Sequence, residues 1–203
     1  MLKVILARHG ETEWNKKHLL QGSRSDTPLN QTGMQQAQAL AERLKDEQIN
    51  AIYSSPLQRA MYTARVIAQN HGLEVIPLPL LREIDMGEME GVPSANLKMH
   101  FVEFIGQAEA DQQPITLPGG ESLGDVQRRA WKAIESAAAQ HSAGTIVAVT
   151  HYFVIVALVC QVLNLPLPQS IHLRLNPGTI TTFTRESNNS VHLDLFNEGC
   201  HIT

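Results

Sequence analysis

An arginine and a histidine stand side by side near the start of the chain, directly after a short apolar run. Arg8 and His9 follow VILA at residues 4–7 and precede GET at residues 10–12. An apolar run of this length beside a turn signal is typical of a buried strand. Ligands bind outside the carboxyl ends of strands in open α/β sheets, so a cation beside an imidazole here suits an anionic substrate and a nucleophile.

A second histidine and a second arginine occupy corresponding points after two further strand-like segments. His151 follows the apolar segment 145–149, and Arg59 lies in the first turn of a helix predicted to begin at Pro56, just after the segment 51–54. A cation in the first turn opposes the helix macrodipole, which favours a functional use for it. If these strand ends share one edge of a parallel sheet, two histidines and two arginines surround one anion. Guanidinium groups pair bidentately with phosphate, so phosphoryl chemistry is predicted.

The elements that must position these residues alternate between strands and helices. Strands are predicted over residues 2–7, 51–54, 74–77, 145–149 and 191–196, with a hairpin formed by 173–175 and 180–184 around Asn176, Pro177 and Gly178. This alternation predicts an α/β fold, a three-layer sandwich with a mostly parallel central sheet flanked by helices. The hairpin predicts antiparallel strands at one edge.

Four helices are predicted from apolar spacing and end signals. NQTG at residues 30–33 opens the first, whose apolar face would be Met34, Ala37, Leu40, Ala41 and Leu44. The second runs from Pro56 to about residue 71. Ser122 is predicted to cap the third, with Asp125 as the partner in a capping box. The fourth covers residues 153–163.

Composition limits the class of protein. The 203 residues, 43% apolar and 18% charged, are typical of one soluble globular domain over residues 1–203. The net charge of −4 argues against general nucleic-acid binding. Cys160 and Cys200 are too few for a disulfide framework and favour a reducing compartment. No signal peptide is evident, and the longest apolar run, 153–160, is too short to span a bilayer, so a cytoplasmic protein without a membrane partner is expected.

Eight motifs in order along nearly the whole chain resemble the histidine phosphatase superfamily, the phosphoglycerate mutase-like proteins, and among them the small broad-specificity phosphatases. They are RHGET with WN at 14–15, QG at 21–22, DTPL at 26–29, TG at 32–33, SSPLQRA at 54–60, LREIDMGEMEG at 81–91, PGGES at 118–122 and VTH at 149–151. The resemblance implies a phosphoglycerate mutase-like fold. It also implies metal-independent hydrolysis of a small phosphomonoester, without a cofactor.

The resemblance also implies a nucleophile and a proton donor. His9 would attack phosphorus and become a phosphohistidine, and Glu83 would protonate the leaving oxygen and then activate water. A neutral His9 is needed for attack, and the adjacent arginines disfavour its charged form. Three nearby carboxylates, Asp85, Glu88 and Glu90, compete with Glu83 for the role of acid.

The remaining site residues would bind the substrate. The resemblance assigns the phosphoryl oxygens to Arg8, Arg59 and His151, with help from Asn15, Gln21 and Gly22. Tyr152 stands where the family usually has glycine. Its backbone N–H can still face a phosphate if φ is not positive, and its ring can line the pocket, so the departure bears on substrate preference.

Three functions stay open at this point: a phosphatase, a cofactor-dependent phosphoglycerate mutase that uses the same His9, and a phospho-ligand binding module with little turnover. The resemblance implies that the mutases have extra chain before the second histidine and a longer tail. Here only 67 residues separate Glu83 from His151 (84 to 150) and the tail is short, which favours the phosphatase. The presence of both His9 and Glu83 disfavours the binding module. Phosphoserine, phosphoglycerates, α-ribazole phosphate and sugar phosphates are all candidate substrates.

Residues 91–120 are predicted to build the specificity surface. Within them Met99, Phe101, Phe104 and Ile105 would form either an apolar lid or the buried side of a helix, with the helix favoured. The oligomeric state is open, and a homodimer is one option.

Overall fold

A six-stranded sheet forms the centre of the molecule in the computed structural model, which describes residues 1–95 and 116–202. In chain order the strands are β1 Leu2–Arg8, β2 Ile49–Ser54, β3 Val75–Pro77, β4 Gly144–Thr150, β5 Ile180–Arg185 and β6 Val191–Glu198. The spatial order is β3-β2-β4-β1-β5-β6. The first four strands of that order are parallel, whereas β5 is antiparallel to β1 and to β6. The predicted parallel sheet with an antiparallel edge is confirmed.

Helices cover both faces of this sheet. They are α1 Glu13–Lys16, α2 Gln31–Leu44, α3 Gln58–Gln69, α4 Leu123–Ala138 and α5 Tyr152–Val162, with 3₁₀ turns at Pro79–Leu81, Gly87–Met89 and Leu167–His172. Alternate residues of β1 point to opposite faces. Val4 and Leu6 pack in the cluster that contains α4 and α5, whereas Ile5 and Ala7 pack in the cluster of α2 and α3. The predicted three-layer sandwich is therefore confirmed.

The start of α2 packs more closely on the first motif than its apolar spacing predicts. A Cβ on Gly33 would lie 2.0 Å from the Glu11 carbonyl oxygen, and a Cβ on Gly10 would lie 2.2 Å from the Gly33 carbonyl oxygen. This backbone contact places Gly33 on the buried face of α2. The prediction that Met34 belongs to that face is wrong, since its side chain is 42% exposed.

Helix α3 begins two residues later than predicted. Leu57 is its N-cap and Gln58 its first residue, so Pro56 precedes the helix. The first turn is held from outside, because Asp26 Oδ1 accepts the Gln58 N–H at 2.7 Å. Arg59 remains in the first turn, as predicted.

The predicted hairpin around Asn176-Pro177-Gly178 is wrong. Residues 173–175 form no strand, and β5 pairs with β1 and β6 instead. The reason is that this segment supports the first motif: Leu175 O accepts a hydrogen bond from Arg8 Nη1, and Gly178 N–H donates to the carbonyls of Arg8 and His9 at 3.2 and 3.1 Å.

The predicted capping box of α4 is confirmed, with Ser122 Oγ accepting the Asp125 N–H at 3.1 Å and Asp125 Oδ2 accepting the Ser122 N–H at 3.3 Å. Across the described residues, no helix has both the length and the apolar character to cross a membrane. The residues expected to form the buried side of a helix or an apolar lid, Met99, Phe101, Phe104 and Ile105, lie outside the described residues.

Candidate active site

The ends of β1, β2 and β4 bring the predicted histidines to one edge of the sheet. Arg8 lies opposite Thr150 in the parallel register of β1 and β4. Beyond that pair, His9 N–H donates to Thr150 O at 3.1 Å, and Ser55 N–H donates to Val149 O at 2.9 Å. His9, Ser55 and His151 therefore lie side by side, each just beyond the end of one of three neighbouring strands.

The two imidazole rings are buried and face each other edge to face. Their centroids lie 5.0 Å apart at an interplanar angle of 61°, and both side chains are almost completely shielded from solvent. His9 Nδ1 lies 2.7 Å from the Gly10 carbonyl oxygen. A carbonyl can only accept, so Nδ1 carries the hydrogen and Nε2 of His9 keeps its lone pair. His151 Nε2 lies 2.7 Å from Ser55 Oγ.

Both imidazoles are held in the neutral form. Burial lowers the pKa of His9 well below its ordinary value, and the positive charges of Arg59 and Arg8 lower it further. Burial, then Arg59 and His9, lower the pKa of His151 in the same direction. A neutral ring with an available Nε2 lone pair can act as a nucleophile.

The two arginines of the site are anchored by backbone carbonyls rather than by carboxylates. Arg59 is completely buried, and its Nη1 and Nη2 each donate at 3.0 Å to the carbonyls of Ser25 and Gly22. Arg8 donates to Leu175 O and lies over the Tyr152 ring, 5.3 Å from its centroid. Burial lowers the pKa of each arginine to about 10, so both are cationic at neutral pH.

Four buried nitrogens on the side chains of this site have no hydrogen-bond partner among the described residues. They are Nε of Arg8, Nε of Arg59, Nε2 of Gln21 and Nδ1 of His151. Buried polar groups are almost always paired, and leaving a buried donor unpaired costs about 1–3 kcal/mol. An oxyanion carries several acceptor atoms and negative charge, so this set of groups fits a phosphoryl group.

Glu83 supplies a buried carboxyl group beside the two arginines. Its side chain is nearly inaccessible, with Oε1 accepting Ile84 N–H at 2.9 Å and Oε2 accepting Phe153 N–H at 3.4 Å. Burial raises its pKa, although both hydrogen bonds and the charges of Arg59 and Arg8 act in the opposite direction. A carboxyl group with a raised pKa can hold a proton for a leaving group.

The competing carboxylates are engaged elsewhere or exposed. Asp85 Oδ1 forms an ion pair with Arg24 Nε at 2.8 Å, and Glu90 Oε1 accepts the Ser25 N–H at 2.6 Å. Glu88 is exposed. Glu90 also acts electrostatically on Arg59, whereas Glu83 acts on both Arg59 and Arg8.

Asn15, Gln21 and Gly22 support this site from the loop after β1. Asn15 closes the capping box of α1 with Thr12, and Thr12 Oγ1 also donates to Gln21 Oε1 at 2.8 Å. Gly22 is confined, since a Cβ there would lie 2.8 Å from both Ile84 O and Met86 Cγ. Its carbonyl is one of the two anchors of Arg59.

Tyr152 is the first residue of α5, and its φ is not positive, so a tyrosine fits where a glycine was expected. Its hydroxyl donates to Leu173 O at 2.7 Å, and its ring packs under Arg8. The Tyr152 side chain therefore connects Arg8 to the segment 173–175. The Leu175 carbonyl in that segment also supports the Arg8 guanidinium.

Sequence reasoning missed three polar residues that hold the site together. Ser55 binds His151, and Thr63 accepts the Gly10 N–H at 3.4 Å while donating to Arg59 O at 2.9 Å. Arg129 of α4 donates to the Glu83 carbonyl at 3.2 Å. Ser55 was discernible as a hydroxyl after a strand end, within a motif already noted. The contact of Arg129 crosses 46 residues of sequence and has no local signal.

Comparisons with known proteins agree with this geometry. The model of the histidine phosphatase superfamily (branch 1) matches residues 4–198. A probable phosphoglycerate mutase, GpmB, of Yersinia pestis is 35% identical over 175 residues, which cover 86% of this chain and 81% of the relative. Phosphoserine phosphatase of Entamoeba histolytica, solved with 3-phosphoglyceric acid, has a TM-score of 0.87 at 32% identity, with all of both chains covered.

A mycobacterial glucosyl-3-phosphoglycerate phosphatase, solved with VO₃, has a TM-score of 0.82 at 29% identity over 97% of this chain and 99% of the other. The match of the family model, residues 4–198, includes the strand ends that carry the two histidines and the two arginines. The chain therefore belongs to branch 1 of the histidine phosphatase superfamily and is a phosphatase that uses a histidine nucleophile.

Proposed function

We propose that this enzyme hydrolyses small phosphomonoesters through a phosphohistidine formed on His9, with Glu83 as the proton donor. One observation carries the proposal: a neutral His9 with its Nε2 lone pair available lies against a second buried imidazole, and the charges of Arg59 and Arg8 act on it. That combination attracts a phosphate dianion and leaves the nucleophile uncharged.

In the first step His9 Nε2 attacks phosphorus, and the bond between phosphorus and the ester oxygen breaks. The leaving oxygen takes the proton of the Glu83 carboxyl group, so an alcohol departs and Glu83 becomes a carboxylate. The imidazole becomes cationic, and its Nδ1–H stays directed at the Gly10 carbonyl. Charge on the phosphoryl oxygens is stabilised by Arg8, Arg59 and His151, which are in place before the reaction.

In the second step the Glu83 carboxylate takes a proton from water while the water oxygen attacks phosphorus. The bond between phosphorus and His9 Nε2 breaks, and the ring returns to its neutral form. Inorganic phosphate leaves, and Glu83 is protonated again for the next cycle. Division of the hydrolysis into two displacements lowers the barrier of each.

The substrate class that we favour is a small phosphorylated carboxylic acid. The names of the relatives support it, since they refer to phosphoserine and phosphoglycerates. Arg82 also supports it: this exposed cation precedes Glu83 and acts electrostatically on Arg59. A kcat/KM screen should rank phosphoserine and 3-phosphoglycerate above sugar phosphates, α-ribazole phosphate and p-nitrophenyl phosphate. A flat ranking would contradict this preference but not the hydrolysis.

A cofactor-dependent mutase is the second candidate, because a probable phosphoglycerate mutase is among the relatives. The two reactions differ in the acceptor of the phosphoryl group. With 3-phosphoglycerate and catalytic 2,3-bisphosphoglycerate, phosphorus NMR should show inorganic phosphate for the phosphatase. Accumulation of 2-phosphoglycerate without phosphate release would instead establish the mutase.

A cytoplasmic location is part of the proposal. Both cysteines are unpaired, and Cys200 is exposed, which suits a reducing compartment. The homodimer stays a prediction, which sedimentation of the purified chain would test.

Replacement of Arg59 by alanine is expected to lower kcat/KM. The expected loss corresponds to roughly 2–4 kcal/mol of transition-state binding, the size seen when one oxyanion donor is lost. His151→Ala should lose a similar amount. Arg65→Ala is the matched control, because Arg65 lies on the same helix and is exposed. Steady-state kinetics measures the loss, and a melting curve checks the fold. An unchanged kcat/KM in Arg59→Ala would place Arg59 outside the reacting centre.

Ser55 is expected to act as a positioning residue for His151. Its Oγ accepts the Leu57 N–H at 3.4 Å, which favours donation of its own hydrogen to His151 Nε2 and leaves Nδ1 to carry the ring hydrogen. Ser55→Ala should lower kcat/KM about tenfold, the worth of one hydrogen bond. Nitrogen NMR of His151 should show loss of the Nδ1–H tautomer. Ser54→Ala, next to it and equally buried, removes a hydrogen bond to the Ser55 carbonyl rather than one to His151, so it should leave the His151 tautomer unchanged.

A further inference from the structure

A second cluster of metal-ligating side chains lies at the end of β6, outside the site described above. Glu198 is the last residue of β6, and Cys200 and His201 follow within three residues. Their carboxylate oxygen, thiol sulfur and imidazole nitrogen all lie within 4.8 Å of one another. These are the three ligand types that Zn²⁺ takes from proteins.

The His201 ring is oriented so that one nitrogen is available to this cluster. Its side chain is 6% exposed, and Nε2 lies 2.9 Å from the Gly178 carbonyl oxygen. The carbonyl can only accept, so Nε2 carries a hydrogen, and in the neutral ring Nδ1 has the lone pair. Nδ1 is buried without a hydrogen-bond partner in the described part of the chain, and it lies 3.7 Å from Glu198 Oε1.

This is the arrangement in which histidine ligands are held in metal sites. A ligating imidazole usually donates its other N–H to a carbonyl or carboxylate, which fixes both tautomer and orientation. Glu198 Oε2 lies 3.5 Å from Arg43 Nε, while Oε1 accepts the Cys200 N–H at 2.9 Å and faces His201 Nδ1 and the Cys200 thiol with its other lone pair. The arginine neutralises part of the carboxylate charge but leaves Oε1 directed into the cluster.

We propose that Glu198, Cys200 and His201 bind a Zn²⁺-class divalent cation, with Glu198 Oε1, Cys200 Sγ and His201 Nδ1 as its protein ligands. The Cys200 thiol proton passes to solvent as the metal–sulfur bond forms, so no redox change is involved. Three ligands leave one position of a tetrahedron for water.

The site is connected to the phosphatase centre through Gly178. The carbonyl of Gly178 accepts from His201, while its N–H donates to the carbonyls of Arg8 and His9. A bound ion that fixes His201 therefore also fixes the loop behind the catalytic strand end. The role that follows is structural, and it is independent of which phosphomonoester the enzyme hydrolyses.

Titration of the purified full chain with Co²⁺ tests the site directly, with Zn²⁺ as the competitor. One Co²⁺ per chain should bind, with a thiolate-to-cobalt charge-transfer band and the visible bands of tetrahedral cobalt, and Zn²⁺ should remove them. Cys200→Ser should abolish the charge-transfer band. His201→Gln and Glu198→Gln should each weaken binding by about tenfold or more. His192→Asn is the control, because His192 lies on β6 beside Glu186, at 3.8 Å, without a cysteine.

Three results would overturn the proposal. One is the absence of a cobalt band at saturating Co²⁺. Another is a Co²⁺ affinity in both His201→Gln and Glu198→Gln that equals the affinity of the unaltered chain, which would show binding by an isolated thiol. The third is one cobalt for two chains, which would show a bridge between copies. If His201→Gln does not fold, the affinity of Glu198→Gln for Co²⁺ decides the proposal. This substitution keeps the size of the side chain and does not touch the hydrogen bond between His201 and Gly178.

Discussion

The kcat of phosphoryl transfer is expected to fall by roughly 10⁶-fold in His9→Ala, the size of loss when the nucleophile of a hydrolase is removed. The reason is that no other imidazole in the site can replace it. His151 Nε2 is bound to Ser55 Oγ, whereas His9 Nε2 is left with its lone pair by the hydrogen bond from Nδ1 to Gly10 O. The fold should persist, since a smaller side chain is placed at a sheet edge.

Activity on p-nitrophenyl phosphate and a melting curve together measure this effect. During turnover of the unaltered enzyme, phosphate trapped on the protein should be labile in acid and stable in base, as a phosphoramidate is, and should map to His9. His172→Ala is the matched control, because His172 is exposed. Label on another residue, or normal turnover in His9→Ala, would contradict the assignment.

The arrangement of the catalytic groups was predictable because it follows from strand ends. Arg8 comes directly after an apolar segment, and His9 and His151 each come one residue further on; parallel strands bring such ends to one edge. The position of Arg59 in the first turn of α3 followed from the turn signal at Pro56, even though the helix begins two residues later. These are local patterns whose spatial consequence is fixed by the sheet.

The supports of those groups were not predictable, since they depend on contacts between distant segments. The NPG turn at residues 176–178 predicts a hairpin, but the carbonyl of Leu175 and the N–H of Gly178 are used by Arg8 and His9 instead. The contact of Arg129 with the Glu83 carbonyl was also not predictable, because no spacing in the sequence indicates it. The lone pair of His201 Nδ1 likewise becomes evident only from its partner Gly178.

Replacement of Glu83 by glutamine is expected to separate substrates by their leaving groups. Alkyl phosphates need a proton on the departing oxygen, so the first step should slow by about 10²–10⁴-fold, the usual contribution of a general acid. Nitrophenolate leaves without a proton, so phosphorylation of His9 by p-nitrophenyl phosphate should be little changed. Dephosphorylation should also slow, because the same carboxylate activates water, and a burst of nitrophenolate should appear.

The pH dependence supplies a second measure of the same carboxyl group. The acid acts in its protonated form, and burial raises the pKa of Glu83, so hydrolysis of an alkyl phosphate should fall as the pH rises through that raised pKa. In Glu83→Gln this alkaline decline should vanish from single-turnover rates of the first step. Glu88→Gln, an exposed change in the same segment, should keep both the decline and the rate. If the first-step rates of alkyl and nitrophenyl esters fall by the same factor in Glu83→Gln, the proton comes from another group. In that case Asp85, which lies near Glu83 in the chain and pairs with Arg24 on its solvent side, is the residue to replace next.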